Sequence, residues 1–98
     1  MTKPRTREYK KDLYEELGNP RFAAEYLNAV CEDGTQEEIL LALRNICEAH
    51  KMSAISRKAK IDRKGLYVAL SSSGNPTLST IMSIFKETGL RLAVQAAK

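Results

Sequence analysis

The sequence predicts an all-α fold: a small five-helix domain with an N-terminal helical extension and a short C-terminal β-strand. Three observations predict it. Residues 36–50 place Ile39, Leu40, Leu43, Ile46 and Cys47 at i, i+1, i+4, i+7 and i+8, the stripe of one helix face. Side chains that cap helices recur ahead of the apolar stripes: Asn19, Thr35, Asp62 and Thr77. Apolar–polar alternation over several residues occurs once, in LRLAVQA at 90–96.

The elements follow in chain order. Residues 1–8 are polar and include Pro4, which suits a mobile arm. Tyr9, Leu13 and Leu17 are spaced by four and predict a short helix that Gly18 ends. Residues 1–18 are therefore an arm with a short helix, and residues 19–98 the main domain. Asn19 caps the next helix, over 20–32, with Pro20 at its first position, where a missing N–H costs little. Its apolar side carries Ala23, Tyr26 or Ala24, Leu27, Val30 and Cys31. Asp33-Gly34 is a turn, and Thr35 with Glu38 makes a capping box for the helix over 36–50. His50 at its end places a favourable charge near the terminal carbonyls.

Residues 52–70, MSAISRKAKIDRKGLYVAL, predict two short helices joined by a tight turn. Ser53 is placed to cap the first, with Ile55 and Ala59 inward. The turn falls at Lys60-Ile61. Asp62 caps the second, whose inner face carries Leu66 and Leu70. Arg57, Lys58, Lys60, Arg63, Lys64 and Tyr67 are left outside. A second helix with basic and hydrogen-bonding groups in its first turns suits a DNA major groove. SSSGNP at 71–76 is a turn by composition. Thr77 caps a last helix with Leu78, Ile81, Met82 and Phe85 inward, and Gly89 stops it. The strand at 90–96 has no partner in the chain, so pairing with its own copy is the simplest solution. Leu90, Leu92 and Val94 then form a homodimer seam.

Ninety-eight residues suit one modest core. No apolar run approaches the roughly 20 residues of a membrane span, and no apolar signal region follows the basic start. No membrane partner is expected, and a cytoplasmic location is. Cys31 and Cys47 fit no metal spacing and are read as small buried hydrophobes. One His excludes a histidine ligand pair, so no metal and no cofactor are expected. Nor is there a phosphate-binding Gly loop or an apolar pair of carboxylates, and Ser71, Ser72 and Ser73 lack a base. The chain is not expected to be an enzyme.

The net charge of +4 is uneven. Residues 15–38 carry seven acidic groups and one basic; residues 39–98 carry ten basic and three acidic. A basic C-terminal part attracts phosphates and an acidic middle repels them, which suggests two partners of opposite charge.

Three segments carry a family resemblance: AAEYLNAVCEDG at 23–34, AHKMS at 49–53 and GLYVALSSSGNPTLSTIMSIFKETGLRL at 65–92. Within them EYLN, GLYxAL and GNPT are specific in combination. Roughly three quarters of the chain, residues 22–94, resembles the antidote proteins of bacterial addiction modules, of the HigA-like kind. These belong to the wider group of phage-repressor-like helix-turn-helix proteins.

The resemblance implies a type II antitoxin. Such a protein neutralises a small basic RelE-like ribonuclease toxin by binding it, and represses its own operon as a homodimer on double-stranded operator DNA. Carried over by position, Lys51 and Ser53 would hold phosphates, with Ala54 beside them and Arg57 further along the same helix. Arg63, Lys64 and Tyr67 would face base edges, with Val68 a further DNA contact on the same helix. Two positions depart from the pattern. Ala54 stands where a phosphate-gripping Gln is usual, and Lys60 where Gly is usual. A left-handed backbone at Lys60 costs roughly 1–2 kcal/mol. An RNA-cutting toxin needs a basic surface that acidic groups can mask, so Glu15, Glu16, Glu25, Glu32 and Glu37 are expected to line the toxin-facing side. The helix at 9–17 folding on the toxin is the rival site. A phage-type repressor without a toxin, and an interaction bundle without DNA binding, are the alternative functions.

Overall fold

The computed structural model describes residues 6–97, with side chains from Tyr9 onward. Of the arm expected over residues 1–8, residues 1–5 lie outside the described residues, and residues 6–8 are instead the first turn of a helix. Six helices form among the described residues: α1 (Thr6–Leu17), α2 (Pro20–Asp33), α3 (Gln36–His50), α4 (Met52–Ala59), α5 (Arg63–Ala69) and α6 (Leu78–Thr88). The expectation was five with an extension. The extension is a twelve-residue helix whose Leu17 is fully buried, so it belongs to the same core. Tyr9, expected inward, is 57 % exposed; Tyr14 turns in instead and donates to Glu48 on α3 at 3.2 Å. Burial, then the Glu48 carboxylate, pushes the Tyr14 hydroxyl pKa up.

α3 is the central element and packs against α1, α2, α4 and α6. Its capping box is complete: Thr35 Oγ1 accepts from Glu38 N–H at 3.2 Å and Glu38 Oε1 accepts from Thr35 N–H at 2.9 Å. Leu40, Leu43, Ile46 and Cys47 are buried as their spacing predicts. Burial pushes the Cys47 thiol up to about 12, so it is an inert core group. Cys31, expected buried, is exposed near the end of α2. The buried face of α2 is only Ala23 and Leu27 wide. His50 reaches across to α1, where its Nε2 donates to the Leu17 carbonyl at 3.3 Å. It serves the end of α1 as well as its own helix.

The last helix is rotated from its expected phase. Ile84, Phe85 and Thr88 are buried, while Leu78 is 64 % and Met82 44 % exposed. Thr88 is tolerated inside because its hydroxyl donates back to Ile84 O at 2.8 Å. Gly89 ends the helix with φ +79, where a side chain is strained, and Leu90 N–H closes the end on Phe85 O at 2.8 Å.

No strand forms among the described residues; residues 90–97 have no regular secondary structure. Leu90 is half-buried against the core, while Leu92 is 52 % and Val94 92 % exposed. Alternation marks a half-apolar face, but a strand also needs ladder hydrogen bonds, and no partner strand lies among the described residues.

Candidate functional site

The helix pair forms where the sequence places it. α4 begins directly after Lys51, whose φ of 81 lets one residue both end α3 and start α4. Ser53 is not the cap, contrary to expectation. It lies inside the helix, and its carbonyl accepts from Ser56 Oγ at 3.2 Å. Of α2–α6, α4 alone starts without a side-chain acceptor for its first N–H groups.

Lys60 adopts the left-handed conformation, φ 57 and ψ 41, at the end of α4. Ile61 N–H then bonds back to Ser56 O at 3.1 Å, closing the turn. Asp62 Oδ1 accepts from Gly65 N–H at 2.8 Å and starts α5. A Cβ at Gly65 would stand 2.5 Å from that oxygen, so the glycine makes room for its own helix cap. Gly74, buried, packs against the last turn of α5, which Leu70 caps. A Cβ there would run into the Ala69 carbonyl and Val68 O, which explains the glycine of GNPT.

α5 packs chiefly on α4. Leu66 and Leu70 are fully buried and anchor it. Arg63 and Lys64 are exposed, Tyr67 is 36 % and Val68 60 % exposed. On α4, Arg57 and Lys58 are exposed, as are Lys51, Ser53 and Lys60 at its ends, while Ala54 is half-buried. The expected DNA-facing residues thus lie on or beside two adjoining helices, and all of them but Ala54 are exposed.

The acidic residues are spread more widely. Glu15 and Glu16 sit in the last turn of α1, Glu25 and Glu32 on α2, and Glu37 in the first turn of α3, all exposed. Sequence reasoning missed a groove between α2 and α3. It is lined by Tyr26, Ala29, Val30, Asp33, Glu38 and Leu41. Tyr26 Oη accepts from Asn45 Nδ2 at 3.1 Å across the two helices. Leu41 was the available signal, an apolar residue off the buried stripe and 44 % exposed.

A second open groove lies on α6 and the chain after it, among Met82, Phe85, Lys86, Leu90 and Arg91. Among the described residues no group of three or more His, Cys, Asp or Glu is placed to hold a metal ion. No described helix is long and apolar enough to cross a membrane.

A family model described as "Probable addiction module antidote protein" matches residues 8–96. The chain belongs to that antidote family. A Haemophilus influenzae protein described as "Uncharacterized protein" is 41% identical over 87 residues, spanning 89% of this chain and 90% of its own. No solved structure matches the chain. The antidote-family match takes in both the helix pair and the α2–α3 groove, and an antidote implies a toxin partner. Regulation by binding, rather than catalysis, is the role that the family description suggests.

Proposed function

We propose that this antidote-family chain neutralises a RelE-like ribonuclease toxin by binding it, and represses its own operon by sequence-specific binding to operator DNA. The observation that carries the DNA half is the outward face of α5, with Arg63, Lys64, Tyr67 and Val68 exposed above buried Leu66 and Leu70. Arg63 and Lys64 occupy its first turn, where side chains of a recognition helix meet base edges. Lys51 and the uncapped N–H groups that begin α4 suit a backbone phosphate, the part that Ser53 and Ala54 share. Arg57 adds charge beside them. Arg63→Ala is expected to weaken operator binding and cost about 1–3 kcal/mol of base discrimination, read by fluorescence anisotropy on operator and mismatched duplexes. Unchanged operator affinity in both Arg63→Ala and Lys64→Ala removes α5 from the contact.

The toxin half rests on the family and on charge. Glu15, Glu16, Glu25, Glu32 and Glu37 offer an exposed acidic side to a basic partner. Crosslinking of the antidote–toxin complex, read by mass spectrometry, is expected to give links within residues 9–38. Links that all fall elsewhere reject both this side and the α1 alternative.

The homodimer belongs to the same reading. Exposed Leu78, Met82, Leu92 and Val94, with half-buried Leu90 between them in the chain, supply an apolar seam. Light scattering that reports a monomer under operator-binding conditions sinks this assignment.

A further inference from the structure

We infer that the groove between α2 and α3 docks a basic segment of the toxin that carries an apolar anchor side chain. The inference rests on the reading above that the partner is a basic protein. The groove measures about 300 Å³. Its floor is apolar: Ala29, Val30, Leu41 and the ring of Tyr26. A single exposed Leu on a convex surface means nothing. Leu41 instead lines a concavity with three other apolar groups, and that concavity is ringed by acid.

Asp33 and Glu38 line the groove directly. Glu25 precedes Ala29 by one turn of α2, and Glu37 precedes Leu41 by one turn of α3, which puts both carboxylates on the same stripes. No lining residue is basic. The bond from Thr35 N–H holds the Glu38 carboxyl below its ordinary range, so it stays charged. The Asn45–Tyr26 bond ties α2 to α3 through a residue that lines the groove, so the shape exists before the partner arrives.

Charge selects the occupant. Residues 15–38 carry seven acidic side chains against one basic, so a second copy of this face would meet like charge, and a nucleic acid would be repelled. A cationic protein segment is attracted by the rim, and its apolar side chain displaces water from Leu41. Anchors of that kind dominate interface energetics.

The test uses the full chain and the protein encoded by the adjacent reading frame, purified separately, with affinity read by calorimetry and association rate by surface plasmon resonance. Leu41→Lys is expected to weaken the complex at least about 30-fold. Asp33→Lys is expected to slow association about 10-fold and to flatten its salt dependence. Both positions are solvent-exposed, so thermal unfolding and operator affinity are expected to stay at the parent's values. A complex of parental affinity in both variants overturns the groove and leaves the toxin-binding reading standing. A parent chain that does not bind the adjacent product overturns both. A Leu41→Lys chain that becomes monomeric while keeping its toxin affinity assigns the groove to a second copy instead.

Discussion

Raising salt from about 50 to 200 mM is expected to weaken operator binding by roughly 10³–10⁵-fold. The magnitude follows from the exterior of α4 and α5. Lys51, Arg57, Lys58, Lys60, Arg63 and Lys64 are all exposed. If three to five of these six reach phosphates in each protomer, a dimer neutralises about 6–10, and each releases a condensed counterion. The slope of log affinity against log salt is then about −0.9 per phosphate. Anisotropy titrations at four salt concentrations measure it directly. A slope near zero on operator DNA would mean that this basic exterior faces something other than a duplex. The charge-neutral change Val68→Ala leaves the slope as it is, whereas Lys64→Ala lowers it only if Lys64 contacts a phosphate rather than a base.

Leu66→Ala is expected to cost about 2–5 kcal/mol of folding stability. Seven residues do not hold a helix alone in water. α5 exists because Leu66 and Leu70 are fully buried and because Asp62 caps its start. Removing one anchor leaves a void under the element that carries Arg63 and Lys64. Differential scanning calorimetry is expected to show a Tm at least about 8 °C lower, with operator binding lost in parallel. A Tm within about 2 °C of the parent would show that α5 is held by something other than its apolar side.

Much of the fold was legible in the sequence because caps and apolar spacing are local signals. Asn19, Thr35 with Glu38, Asp62 and Thr77 each cap the helix they were expected to cap. What failed was non-local. The phase of α6 is not legible locally, because Leu78 and Met82 are apolar yet face water, and because Thr88 satisfies its own hydroxyl inside the core. Ser53 has the composition of a cap, but Lys51 already occupies the cap position with an unusual backbone. The strand failed because pairing depends on a second segment, which no pattern within residues 90–96 can report.

The outward residues of α5 were legible for the same reason as its anchors: Arg63, Lys64 and Tyr67 are whatever the Leu66–Leu70 stripe leaves over. The α2–α3 groove was not legible. A concavity arises from how two helices lie together, and their separate patterns carry only the hint of Leu41 off-stripe. Gly65 and Gly74 likewise show their reason only once Asp62 and the Ala69 carbonyl are in place.

A single residue, Lys51, separates α3 from α4, and its φ of 81 already uses the freedom that such a short joint has. Each added amino acid turns a helix by about 100° about its axis. One insertion at this elbow would therefore swing Met52 and Ile55, both buried, toward water. Relatives of different length are expected to place their gaps at Gly34 or between Asn75 and Thr77, where the backbone lies outside any helix.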